Sequence, residues 1–432
     1  MESGSSTNLA LDASAALDSD QPNGGAAAQP QALVIVTLLF FMWGFLTALN
    51  DVLIPHLKAV FTLSYVEAIL VQFCFFGAYF IVSIPAGKLI RKLGYQRAAV
   101  LGLLIAAGGC FLFYPAASGS YLLFLLAFFI LAAGITVLQV AANPYVTVLG
   151  PARTASSRLT LTQAFNSLGT TIAPLFGGWL ILSASGSANP VAEAAAVKVP
   201  YLILASTLVL LALLFALARL PKLEFTQSAQ TGSLTLRSQP RLFAGVIAIF
   251  LYVGAEVSIG SFLINFLGQS HVLALSHADA AHYVSYYWGG AMVGRFIGFA
   301  ATRVVAPGKI LALNASLAVL AILLAISSSG SVAMWALIAV GLCNSVMFPV
   351  IFSMALHQLG PHTGQASGWL CMAIVGGALV PFAQAALADG VSLNSSFVIP
   401  AVCYVYIAWF GWHNAKIYLS PATESSTKEA AS

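Results

Sequence analysis

Two carboxylates stand inside otherwise apolar runs: Asp51 in "TALNDVLIPH" and Glu256 in "LYVGAEVSIGSFLINFLG". A carboxylate there can take up and release a proton, pair with a cation or accept hydrogen bonds, and each use must offset the cost of leaving water. Amides accompany them at helical spacings. Gln139 and Asn143 are four residues apart just before Pro144, Gln163 and Asn166 are three apart, and Asn50 adjoins Asp51. Such pairs share a helix face, and an amide both donates and accepts, which suits a polyhydroxylated ligand better than an ion or a greasy one. Asn265, Asn344 and the indole of Trp288 are weaker candidates for the same role. Tyr286, Tyr287 and Trp369 carry faces that could stack on a ring, although ordinary packing explains any single aromatic as well.

The elements that position these groups are membrane spans. Of the 432 residues, 60% are hydrophobic and 7% charged, with a mean hydropathy of +0.93. Soluble proteins average about 25% charged residues, so the apolar surplus must face lipid. Cutting the chain into runs of about 20 apolar residues gives twelve spans. Six cover 32–57, 65–87, 97–115, 120–148, 159–183 and 200–220, and six cover 242–268, 279–302, 309–328, 331–357, 364–388 and 394–415. The expected fold is an all-α integral membrane protein, twelve transmembrane helices in two pseudo-symmetric six-helix bundles. The expected organisation is a tail over 1–30, one bundle over 31–220, a linker over 221–240, a second bundle over 241–417 and a tail over 418–432.

The halves echo one another. "VLGP" at 148–151 answers "QLGP" at 358–361, "GTTIAP" at 169–174 answers "GGALVP" at 376–381, and "GKLIRKLGYQR" has a weaker partner in "GFAATRVVAPGK". Repeated halves of this kind belong to secondary transporters, whose site lies near the midplane between them.

Lys and Arg concentrate in the loops after the second, fourth and eighth spans, in the linker and in the tail, which makes those segments and both termini cytoplasmic. The first thirty residues hold four acids, no Lys or Arg and no apolar core, so they read as a tail rather than a signal peptide. The net charge of +4 is spread between apolar runs and points to no nucleic acid. Neither a disulfide framework nor a metal site emerges from the five cysteines or from His271, His277 and His282, whose spacings match no standard ligand set. No cofactor is expected.

Asp51 lies about 25 Å along the first span at 1.5 Å per residue. Pro55 lacks the N–H that would have bonded the carbonyl of residue 51, which loosens the helix at the aspartate. Glu256 sits near mid-depth between Gly254 and Gly260. It is read either as a ligand or proton site or as half of an ion pair with Arg295, which is itself expected at the cytoplasmic end of the eighth span.

"FFMWGFLTALNDVLIPHLKAVF", "AANPYVTVLGP" and "LTQAFNSLGTTIAP" resemble the fucose permease and glucose/galactose permease family, sugar–proton symporters of the major facilitator superfamily. The resemblance covers both halves. It implies a bacterial cytoplasmic-membrane protein, working as a monomer, that imports a hexose with a proton. Asp51 matches the proton-coupling aspartate of the fucose permeases. Gln139 replaces their fourth-helix glutamate, while Glu256 within "YVGAEVSIGSFL" resembles the glucose/galactose branch. The first-half loop also lacks the acid usual in the superfamily motif, so its latch must differ in detail. Glucose, galactose, mannose, fucose and N-acetylglucosamine all stay open as cargo, and so do sodium coupling and passive facilitation. An exporter of apolar drugs fits the amides poorly, a sugar receptor would need a signalling domain, and no cluster suggests an enzyme.

Overall fold

The computed structural model describes residues 30–60, 65–116, 121–177, 198–218, 220–221 and 235–417, except for the side chains of 50–60, 65–72, 174–177, 277–278 and 281. Both expected tails and most of the expected linker lie outside these residues. Every regular element among them is helical. The first half comprises α1 (Pro30–Val60), α2 (Tyr65–Leu93), α3 (Tyr95–Ala116), α4 (Tyr121–Val148), α5 (Ala155–Gly177) and α6 (Lys198–Leu217). The second comprises α7 (Pro240–Leu267), α8 (His277–Val304), α9 (Pro307–Ser327), α10 (Gly330–Asn344), α11 (Met347–Leu356), α12 (Thr363–Met372), α13 (Gly376–Gly390) and α14 (Val398–His413).

Sequence chemistry sets several boundaries. Gly94 alone joins α2 to α3 at φ +80°, a left-handed conformation that a Cβ disfavours. α7 and α9 open with proline in the first turn, where the missing N–H would have had no partner. The last carbonyls of α4 have no helical partners, and the buried Arg158 supplies them: it donates to the carbonyls of Val146, Thr147, Gly150 and Pro151 at 2.7–3.1 Å. Three spans expected as continuous are interrupted, the twelfth of them at Phe397, between a short helix at Leu393–Ser396 and α14. The tenth breaks at Ser345–Val346, and the eleventh passes through a 3-10 turn at Ala373–Val375.

The helix pairings repeat. α1 packs on α5 as α7 packs on α13, α3 packs on α4 and α6 as α9 packs on α10 and α14, and α2 packs on α4 as α8 packs on α10. Two seams join the halves, α2 and α4 against α12, and α5 against α8 and α11. Ten segments among the described residues are long and apolar enough to cross a membrane. The fifth and eighth expected spans are not among them; α5 and α8 are the least apolar of the long helices. They can afford polar residues because they face one another across a seam instead of facing lipid.

Candidate functional site

A proline opens the backbone at the first seam and a helix break opens it at the second. A proline inside a helix leaves the carbonyl four residues earlier without its donor. Pro144 in α4 deprives Val140, and the hydroxyl of Ser367, reaching from α12 of the other half, donates to that carbonyl at 2.8 Å. At the second seam the chain breaks between α10 and α11, and Nε of Arg295 on α8 donates at 3.3 Å to the Ser345 carbonyl in that break.

Around the first of these points lies a buried polar group. Nε2 of Gln139 donates to the Tyr79 hydroxyl on α2. Asn143, one turn beyond Gln139, is fully buried. Its amide has no nitrogen or oxygen partner among the described residues; the thiol of Cys371 lies within reach and is a weak partner. The Ser83 hydroxyl and the Trp369 indole N–H are likewise buried without a partner there.

The second group is built on Arg295. Its Nη1 donates to the Ser167 hydroxyl and, at 3.4 Å, to the Gln163 carbonyl, both on α5. Its Nη2 stands 3.9 Å from Oε1 of Glu256, each side chain only 12% exposed. That distance is an ion pair but too long for a direct hydrogen bond, and Oε1 has no hydrogen-bond partner among the described residues. The Tyr252 hydroxyl reaches the same carboxyl group. Behind it the Tyr287 hydroxyl donates to the Glu256 backbone carbonyl at 3.0 Å, Asn344 donates to Tyr287 at 2.8 Å, and Tyr404 donates to Asn344 at 2.7 Å. Glu256 therefore sits on a fixed backbone.

Arg295 corrects an expectation. It is a seam residue in the interior of α8, not one at the cytoplasmic end, because a guanidinium with five donors can serve Glu256, Ser345, Gln163 and Ser167 together. The Glu256–Arg295 pair, one of the two readings of Glu256, is present. The other candidates divide by what their polar atoms already do. Gln163 has a buried, unpartnered Nε2. Nδ2 of Asn166 is bonded to the Phe40 carbonyl on α1 at 2.9 Å, and Asn344 is occupied at both ends by tyrosines. Asn265 is exposed near the end of α7, and Trp288, 41% exposed, lies edge-on to Tyr287 and over Gly260. The α1 backbone is helical through Asn50 and Asp51, whose side chains lie outside the described residues. Sequence reading passed over Tyr79, Ser83, Ser167, Tyr252, Ser367 and Tyr404. For Ser367 a signal existed: Pro144 announces that the Val140 carbonyl needs a donor. No group of three metal-binding side chains occurs among the described residues.

The seams are sealed towards the end of the bundle that carries the basic residues. The hydroxyls of Ser156 and Ser353 are 2.7 Å apart, and the Ser157 hydroxyl donates to the Phe299 carbonyl at 2.8 Å. Gly87 allows α2 to approach α12 so closely that a Cβ would stand 2.9 Å from the Gly364 carbonyl, and at Gly298 a Cβ would collide with Val346. Serine and glycine contacts, with Arg303 donating to the Ser157 hydroxyl at 3.3 Å, thus hold this end where the first-half loop lacks its acid.

Comparison with known proteins agrees with this architecture. The chain is 57% identical over 388 residues to the glucose/galactose transporter of Brucella abortus, covering 89% of this chain and 94% of that one. It superposes on the crystal structure of the E. coli fucose:proton symporter with a TM-score of 0.82 at 33% identity, covering 88% of this chain and 98% of that one. With a second structure of that symporter, in the outward conformation, the TM-score is 0.81, again at 33% identity and with the same coverage. Residues 35–381 match the Major Facilitator Superfamily profile. With twelve spans in two matching halves, polar groups gathered at the seams between them, and these relatives, the chain belongs to the Major Facilitator Superfamily.

Proposed function

We propose that the protein imports a hexose of the glucose or galactose type together with a proton, by alternating access, as a monomer in a bacterial cytoplasmic membrane with both termini cytoplasmic. The carrying observation is the set of buried nitrogen and oxygen atoms at the seams that have no nitrogen or oxygen hydrogen-bond partner among the described residues. Asn143 and Gln163 come from the first half; Glu256 and Trp369 come from the second. Sugar hydroxyls both donate and accept, so a hexose between the halves would satisfy atoms on either side. Each such bond contributes about 0.5–1.5 kcal/mol net. A ligand held from both sides favours closure of the halves around it, which is how binding drives the transition between access states.

Asp51 is the proton carrier in this reading, with Glu256, 3.9 Å from Arg295, as a second proton-coupling candidate at the seam. The relatives support this reading: the Brucella protein is named a glucose/galactose transporter and the E. coli protein a fucose:proton symporter. The seal at the basic end rests on hydrogen bonds without ion pairs among the described residues and on close packing, with Arg303 donating to the Ser157 hydroxyl at 3.3 Å. It can open without separating charges.

The test is uptake of labelled glucose, galactose, mannose, fucose and N-acetylglucosamine into proteoliposomes with and without an imposed pH gradient. Accumulation of glucose or galactose above the external concentration only when the outside is acid supports the reading. Equal uptake without the gradient, or dependence on sodium, would overturn the proton coupling. The variant Asp51→Asn should lose accumulation yet keep exchange of internal for external sugar.

A further inference from the structure

We infer, on the reading of Glu256 as part of the sugar and proton site, that Asn344 is a positioning residue. From the break between α10 and α11 it holds Glu256 and Arg295 apart, so that the gap between them stays open to a ligand. A carboxylate and a guanidinium free to approach close to about 2.7–2.9 Å. This buried pair stands at 3.9 Å, and Oε1 has no hydrogen-bond partner among the described residues. Closure would satisfy both groups, so the surrounding side chains must resist it. A pair held open meets a sugar hydroxyl without first separating two charges.

Both members are held from residues 344 and 345, where α10 ends. On the glutamate side a chain of donors crosses four helices. The Tyr404 hydroxyl on α14 donates to Oδ1 of Asn344 at 2.7 Å, Nδ2 of Asn344 donates to the Tyr287 hydroxyl on α8 at 2.8 Å, and Tyr287 donates to the Glu256 carbonyl on α7 at 3.0 Å. The direction is forced, because each hydroxyl has one proton and Oδ1 can only accept. The Asn344 carbonyl accepts from the Tyr252 hydroxyl at 3.3 Å, the same hydroxyl that reaches the Glu256 carboxyl group. On the arginine side the next carbonyl, that of Ser345, accepts from Nε of Arg295 at 3.3 Å. Gly294 brings α8 hard against this turn: a Cβ there would stand 2.6 Å from Cβ and Oγ of Ser345. Asn344, Tyr252, Tyr287 and Tyr404 are all buried, where water cannot replace a lost partner, so removing the amide releases Tyr287 and Tyr404 together. With both ends of its amide occupied, Asn344 acts on a sugar only through Glu256 and Arg295.

The experiment uses the full-length protein and two readouts. One is the coupling between Glu256 and Arg295, from the melting temperatures of the parent, Glu256→Gln, Arg295→Gln and the double variant in detergent. The other is KM and maximal rate for glucose exchange in proteoliposomes. Both are measured with Asn344→Leu, which removes both amide contacts, and with Tyr404→Phe, which keeps the ring and removes one hydroxyl. The control is Tyr406→Phe: its hydroxyl also ties α14 to α7, at the Ala244 carbonyl and 3.2 Å, but twelve residues from Glu256, about 18 Å along the helix. Asn344→Leu should let the pair close, raising the coupling about twofold and the KM about tenfold with the maximal rate little changed. Tyr404→Phe should move both readouts the same way, with KM up about threefold, and decides the matter if Asn344→Leu does not fold. Tyr406→Phe should move neither. A residue that only stabilised the fold would lower all four melting temperatures together and leave the coupling as it was. Unchanged or weaker coupling, an unchanged KM, or equal shifts in Tyr406→Phe would each overturn the proposal. Absence of glucose exchange by the parent would instead strike the transport reading, and the coupling alone would then decide whether Asn344 holds the pair open.

Discussion

The hydroxyl of Ser367 donates at 2.8 Å to the Val140 carbonyl, the one that Pro144 leaves without its helical donor. A kink in one half is therefore completed by a side chain from the other. Ser367→Ala would strand a buried carbonyl at a cost of about 1–3 kcal/mol, and only in the state where α4 and α12 touch. The variant should thus favour opening at the basic end. The check is alkylation of a single cysteine placed near Gly364: its rate should rise in Ser367→Ala and fall back when sugar is added on the opposite side.

Arg295 and Glu256 form a pair 3.9 Å apart with little exposure. Removing one member of such a pair leaves an uncompensated charge and costs about 3–5 kcal/mol, whereas removing both costs less. Arg295→Gln should lower the melting temperature sharply, and the double variant Glu256→Gln/Arg295→Gln should recover part of the loss. If the double variant melts no higher than Arg295→Gln, the two side chains are not coupled.

Ser156 and Ser353 face each other across the second seam with their oxygens 2.7 Å apart. A disulfide needs Cβ atoms about 3.5–4.5 Å apart, so the pair Ser156→Cys/Ser353→Cys should crosslink under mild oxidation with little backbone movement. Crosslinked protein should still bind sugar but transport none, and reduction should restore uptake. Unimpaired uptake by the crosslinked protein would show that this seam does not open during transport.

His357 follows the last residue of α11, and burial together with the nearby Arg241 charge lowers its pKa from 6.5 to about 4. Between these values the unfolded chain binds a proton that the folded protein does not, so stability rises with pH across the window. It is lost as pH falls from about 6.5 towards 4. In detergent melts over this range, His357→Gln should show a shallower decline than the parent; parallel declines would rule out His357 as a contributor.

Much of the scaffold was legible in the sequence. The apolar runs marked the helices, and the echoes between "VLGP" and "QLGP" and between Gly87 and Gly298 marked equivalent places, both glycines lying at seams. The turn at Ala373 was not legible, since the residues there continue the apolar pattern. Among the candidate amides, spacing put Gln163 and Asn166 on one face of α5, yet Asn166 serves to tie α5 to α1 while Gln163 keeps an unpartnered nitrogen at the seam.

The sequence by itself determined that the chain crosses a membrane repeatedly, that it is built as two related halves, and that a few carboxylates and amides stand at depths where an unpaired polar group is costly. Only the tertiary structure decided that Arg295 belongs to the seam, that it meets Glu256, and that Asn344 is consumed by two tyrosines. The reason lies in the solvent. In water a polar helix face announces the surface, but in lipid a side chain at a seam and one buried within a half are both hidden from the hydrocarbon. Depth can then be counted along one helix. The partner cannot, because it arrives from another helix more than a hundred residues away, as Ser167 does for Arg295 and Ser367 for Val140.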